Sequence, residues 1–270
     1  MHRSQIIAIA VALVAIVTLY NLPKVIINDT DKNKLSTEST STEKAVSEAV
    51  NISPSDMKKL ERLRNNFANA ADVKKRCNFA DSLAELYINL QKYDSSAAIA
   101  DKLVLSNSDI ATRKTAGNIY YKLYTLAGEP TVANSFATKA QDFYTEVLTK
   151  EPDNTTIKNN LAMTYVTSAT PMKAIALLRE VLAKNPNDET AIFNLGFLSI
   201  QSGQYAKAIE RFEKLIQANP RNWKAHLYLG IALAESGKTA EAQEKFETVA
   251  NNTKDPELKA QAEQMLGQKK

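Results

Sequence analysis

A single cysteine and two histidines are all that this 270-residue chain offers to thiol chemistry and to soft metals. One thiol cannot close an internal disulfide. No Cys-x-x-Cys redox or haem-attachment motif and no His/Cys metal cluster can be built from Cys77, His2 and His226. Glycine is scarce too, at seven residues, and neither a Gly-x-Ser-x-Gly elbow nor a dinucleotide fingerprint occurs. Alternating strand patterns are nearly missing beyond Ser53, which argues against a mixed sheet protein and for an all-helical one. Charge of one sign is lacking as well: 34 lysines and arginines are interspersed with 30 aspartates and glutamates, for a net charge of +4. The densest basic spots, Lys58-Lys59, Lys74-Lys75-Arg76 and Lys269-Lys270, are short and carry no interleaved stacking aromatics. They read as solvated helix faces, and no nucleic-acid partner is expected.

What the chain does have is periodic. Pro152, Pro186 and Pro220 close three segments at a constant step of 34 residues (186 − 152 and 220 − 186). Between them Leu195-Gly196 returns as Leu229-Gly230 and, loosened, as Leu161-Ala162; Gly203 returns as Gly237, Ala208 as Ala242, and Phe212 as Phe246. A sustained step of this length is the mark of stacked structural repeats. Within one period, Ala191, Ile192, Leu195 and Leu198 recur at helical spacing before Gly203 breaks the run. Ala208, Ile209, Phe212, Leu215 and Ile216 form a second run, which Asn219-Pro220 ends because proline lacks the donor a continuing helix needs. Each period is therefore two antiparallel helices, with the small Gly196 and Ala208 where they approach and with Leu195, Tyr205 and Phe212 filling the space around. A lone hairpin leaves an apolar face uncovered, so neighbours must stack on it.

Leu195-Gly196, Gly203, Tyr205, Ala208, Phe212 and Pro220, followed by Leu229-Gly230, Gly237, Ala242 and Phe246, resemble the tetratricopeptide repeat family. Three repeats are covered, over residues 154–187, 188–221 and 222–252. Ile192 and His226 stand where a tryptophan is common in that family, and Pro256 arrives two residues later than the step requires. Upstream, residues 54–153 are expected to hold degenerate hairpins. One lies around Leu86-Tyr87, Gln91-Lys92-Tyr93 and Ala97-Ala98, and a longer one around Gly117 with Tyr120 and Ala140 with Tyr144. Leu258, Met265 and Leu266 on one side of residues 255–270 suit a capping helix over the last repeat.

The N-terminal part is different. Ile6 to Leu22 is seventeen residues without a charge, about 25 Å long as a helix, flanked by Arg3 on one side and by Tyr20 and Lys24 on the other. A cleaved signal peptide is the competing reading, but Thr18 to Lys24 holds no small-x-small pair. A single transmembrane anchor over residues 6–22 is therefore expected after a short tail over residues 1–5. The segment 28–53, with its Ser/Thr/Glu-rich core from Leu35 to Lys44, is too polar to bury anything and reads as a flexible spacer. Arg3 against Lys24, Lys32 and Lys34 leaves the orientation undecided by charge. A short basic tail, one anchor and a large following domain favour export, which in a bacterium means the periplasm.

The fold expected is thus all-α: a right-handed solenoid of tetratricopeptide-type hairpins behind one transmembrane helix and a polar linker. In such a stack the first helix of each pair lines the concave side. Superposing the periods places Asn159 and Met163, Phe193 and Phe197, and Leu227 and Ile231 on that side, with Asn160, Asn194 and Tyr228 beside them. The resemblance implies an adaptor or assembly role, and with the expected anchor and the missing catalytic and metal motifs the chain reads as a non-enzymatic, membrane-tethered scaffold that takes no cofactor or metal. Its ligand would be a protein or peptide, with an amphipathic helix suiting so apolar a groove; assembly or chaperoning of envelope or membrane complexes is the implied setting. Self-association into a homo-oligomer is an alternative. A second alternative is a nucleotide-binding enzyme using Gly237-Lys238-Thr239, which looks like the end of a phosphate loop but lacks both the first glycine, replaced by Ala232, and a preceding strand. Thr239 is expected to cap the following helix instead.

Overall fold

The structure, a computed structural model, describes residues 52–267; the expected anchor and nearly all of the spacer lie outside the described residues. Among the described residues there are twelve α-helices and no strand. They are α1 (Pro54–Asn69), α2 (Val73–Asn89), α3 (Tyr93–Ser106), α4 (Ile110–Leu126), α5 (Pro130–Lys150), α6 (Thr155–Thr164), α7 (Met172–Lys184), α8 (Glu189–Gln201), α9 (Tyr205–Ala218), α10 (Trp223–Glu235), α11 (Thr239–Asn252) and α12 (Pro256–Gly267). None of them is long and apolar enough to cross a membrane.

Helix starts repeat with the period. Asn154, Asp188 and Asn222 cap α6, α8 and α10, their side-chain oxygens accepting the N–H groups of Ile157 (3.0 Å), Ala191 (2.8 Å) and Ala225 (3.0 Å). Each satisfies a donor that the first helical turn leaves unpaired. Ser53 does the same for α1, ahead of Pro54 in the first turn. Thr239 is not a cap: it is the first residue of α11, and the cap position belongs to Lys238, whose side chain makes no capping bond.

In three hairpins, α2/α3, α8/α9 and α10/α11, the turn depends on one left-handed residue. Gly203 and Gly237 hold φ of +69° and +86°, a region that costs a residue with a Cβ ~1–2 kcal/mol. At the matching place between α2 and α3 stands Gln91, exposed, with φ of +55°. Gln91→Gly is therefore expected to raise stability by about 0.5–1 kcal/mol, the relief of strain less the extra chain entropy of glycine, read as a higher urea midpoint at unchanged slope. Between α6 and α7 the matching residue is Ala169; there α6 stops at Thr164 and the chain turns through residues 165–171 before α7 begins. A helix that cannot end on a left-handed glycine ends earlier by another route.

Five hairpins result: α2/α3, α4/α5, α6/α7, α8/α9 and α10/α11, with α1 packed on α2 and α12 packed on α11 and α10. Successive first helices touch one another, α2 to α4, α4 to α6, α6 to α8 and α8 to α10, whereas no second helix touches another second helix. A stack whose first helices crowd and whose second helices splay bends toward the first helices, so these line the concave side. Buried side chains run through the stack as four successive clusters, the last closed by Ala262, Leu258, Met265 and Leu266 of α12. Glycine sets the closeness of the hairpins: a Cβ on Gly196 would lie 2.7 Å from the Phe212 ring, and one on Gly117 2.8 Å from that of Tyr144. The α4/α5 hairpin is the long member, with 17 and 21 residues in its helices.

Candidate functional site

The concave side changes character along its length. At α4 and α6 it is tied by polar groups. The Tyr144 hydroxyl, on a fully buried ring, donates to the Asn118 side chain (2.9 Å) and accepts from Asn160 (3.3 Å). Tyr124 donates its hydroxyl to the Met163 carbonyl (3.2 Å). Burial holds the Tyr144 phenol well above its ordinary range, so it stays a neutral donor. At α8 and α10 the same side is aromatic and aliphatic. Phe193 packs edge-on to Tyr228 (5.0 Å between centroids) and to Phe212 (5.5 Å), and Phe197 packs edge-on to Tyr228 (6.0 Å). Edge-to-face pairs hold such rings in fixed orientations and give a rigid surface. Lys224 places its ammonium 4.7 Å over the Phe193 ring.

Of the nine residues expected in the groove, seven keep part of their surface open: Asn160, Met163, Phe193, Asn194, Phe197, Tyr228 and Ile231 are half-buried. The other two do not offer themselves to a partner. Asn159 is 3% exposed because its amide crosses to the next hairpin and donates to Asp188 (3.1 Å), the cap of α8. Leu227 is 1% exposed, in the cluster that α12 completes. Lys224 is the residue that superposition of the periods missed. Its signal was its place three residues before Leu227, one helical turn along the same face.

The remaining chemistry-bearing residues are structural. Cys77 is buried, and burial pushes its thiol up, away from the reactive thiolate. His226 is buried, with Nε2 3.1 Å from the Pro220 carbonyl, to which the neutral ring donates; Nδ1 is enclosed without a partner. Burial pushes this imidazole down, opposed by the Pro220 bond, so the unfolded chain takes up a proton more readily than the folded one. Stability is therefore expected to fall as pH drops below about 6.5, where free imidazole protonates. His226→Gln should lose that part of the slope in urea titrations between neutral and mildly acid pH. Gly237-Lys238-Thr239 sits in a helix–turn–helix, preceded by α10 where a phosphate loop needs a strand, and Lys238 pairs with Glu241 (3.6 Å).

Comparison with known proteins follows this geometry. Residues 199–265 match the family described as tetratricopeptide repeat. No curated protein matches the chain. A tetratricopeptide repeat protein from Parabacteroides merdae is 16% identical, with a TM-score of 0.57 over 79% of this chain and 85% of that one. A thermophilic tetratricopeptide repeat protein of Thermus thermophilus is 14% identical, with a TM-score of 0.56 over 70% of this chain and 98% of its own. Residues 199–265 are thus tetratricopeptide repeat in sequence, and the stack of hairpins around them has the fold of solved tetratricopeptide repeat proteins.

Proposed function

We propose that this chain is a non-enzymatic scaffold that binds a protein segment on its concave side and is held at a membrane by residues 6–22. One observation carries the binding face: Phe193, Phe197, Tyr228 and Ile231 form a half-exposed apolar strip on two adjacent first helices, prearranged by ring-on-ring packing. A strip of this width suits one apolar side of an amphipathic helix, whose anchors recur three and four residues apart. Binding to a prearranged surface spends little on ordering the scaffold. The uncharged run from Ile6 to Leu22 and the polar segment after it support tethering with reach, and the short basic tail supports export of the repeat domain. Such a molecule works by presentation, keeping a client near the membrane during assembly of an envelope or membrane complex.

A photoreactive residue at Phe197 tests this in cells, with one at Glu247, exposed on α11, as the control. A discrete adduct with another protein from position 197, missing from position 247, is the expected result. Adducts only within the chain, or the same set from both positions, would overturn the reading.

A further inference from the structure

Beside the aromatic strip lies a feature that protein binding in general does not explain. The turn joining α9 to α10 and the turn joining α11 to α12 enclose an open cleft of about 890 Å³. Arg221, Lys224 and Lys254 line it together with Trp223, the only tryptophan of the chain. Among the described residues none of these three cations is in a salt bridge. The one carboxylate in the lining, Asp255, is directed to the backbone N–H groups of Glu257 (2.9 Å) and Leu258 (3.2 Å) at the start of α12. The cleft therefore presents net positive charge beside a half-buried indole. It adjoins the strip, because Lys224 both lines the cleft and lies over Phe193.

We propose that this cleft receives an acidic stretch of the same partner whose apolar side lies on Phe193, Phe197 and Ile231. The inference rests on the protein-binding reading above and adds a chemistry and a direction to it. The partner carries glutamates or aspartates next to its apolar anchors, and it lies with that acidic end toward the turns joining α9 to α10 and α11 to α12. Three exposed cations around one open cleft raise the encounter rate with such a segment and fix its register, while desolvation against Trp223 strengthens each pairing. A carboxylate-bearing peptide fits better than a compact phosphate, since the cleft is broad and open and its basic groups sit on separate turns.

Trp223 makes the test direct, because all tryptophan emission of the full chain in detergent comes from the cleft. The probes are a short leucine-rich amphipathic peptide ending in a run of glutamates, the same peptide ending in glutamines, and ATP. The expected result is a saturable emission change with the glutamate peptide and at least about tenfold weaker binding with the glutamine peptide, weakening further as salt rises. Arg221→Glu and Lys254→Glu, both at exposed positions, should each weaken the glutamate peptide to a similar degree without lowering the melting temperature; Arg221→Gln gives the milder control. No emission change with the glutamate peptide, equal affinity for both peptides, or a response to ATP alone would overturn the proposal. The Phe197 adduct would still form if only the cleft assignment is wrong, and its loss marks failure of the binding face itself.

Discussion

Phe212→Ala is expected to cost about 3–5 kcal/mol in urea unfolding, the range for removing a buried phenyl ring that its surroundings cannot replace. The ring is 0% exposed, faces the bare backbone of Gly196, and touches Phe193 and Tyr228 at centroid distances of 5.5 and 5.9 Å. Its neighbours cannot collapse into the gap: Gly196 has no side chain to move, and Phe193 and Tyr228 are held by each other. The loss falls first on α8, α9 and α10, because in a stack each hairpin is supported by its neighbours alone. Hydrogen exchange should accordingly quicken there before it does in α2 and α3. A cost below about 1.5 kcal/mol would show that the ring does not seal this hairpin.

The second large effect reverses the usual sign. Glycine to alanine inside a helix normally adds about 0.5–1 kcal/mol of stability. At Gly230 the new Cβ would stand 2.5 Å from Cε1 of Phe246 and 2.9 Å from its Cδ1, closer than carbon atoms approach. Gly230→Ala is expected to destabilise by about 1–3 kcal/mol, because Phe246 is itself buried and has nowhere to retreat. Trimming the ring supplies the internal check. In the Gly230→Ala background, Phe246→Leu should cost at least ~0.5 kcal/mol less than it does alone, since the two positions share one space. Gly128, where an added Cβ meets nothing within 4 Å, should accept alanine without loss.

Those two contacts were legible in the sequence, because Leu-Gly and a phenylalanine return sixteen residues apart in successive periods, as at Gly196 with Phe212 and Gly230 with Phe246. A small residue opposite a ring is a matched pair, and the period repeats the match. The turns at Gly203 and Gly237 were equally readable, since only glycine adopts their backbone at no cost. The caps Asn154, Asp188 and Asn222 keep the same period, two residues after each proline, yet were not singled out from the sequence. The early end of α6 was hidden, because the change from glycine to Ala169 says that the turn must differ and not how.

The groove was legible as a side and not as a surface. Superposed periods give Asn159, Phe193 and Leu227 one position, yet only Phe193 stays half-open. What decides it is the next hairpin: Asp188 draws Asn159 inward, and the cluster closed by α12 takes in Leu227. A single period holds no information about its neighbour's side chains. For the same reason the basic cleft could not be seen in advance, since Arg221 and Lys224 lie on one turn and its helix, and Lys254 thirty residues beyond Lys224 on another.

The most direct measurement of the central claim replaces the strip and leaves the stack alone. Phe197→Asp combined with Ile231→Asp alters two half-exposed side chains on α8 and α10. The protein captured at position 197 in cells, once identified, is assayed against the purified full chain and this double variant, with helical content and melting temperature followed in parallel. Loss of that binding by more than tenfold, with helicity and melting held, is the result this account predicts. Undiminished binding by a variant that folds normally would contradict it.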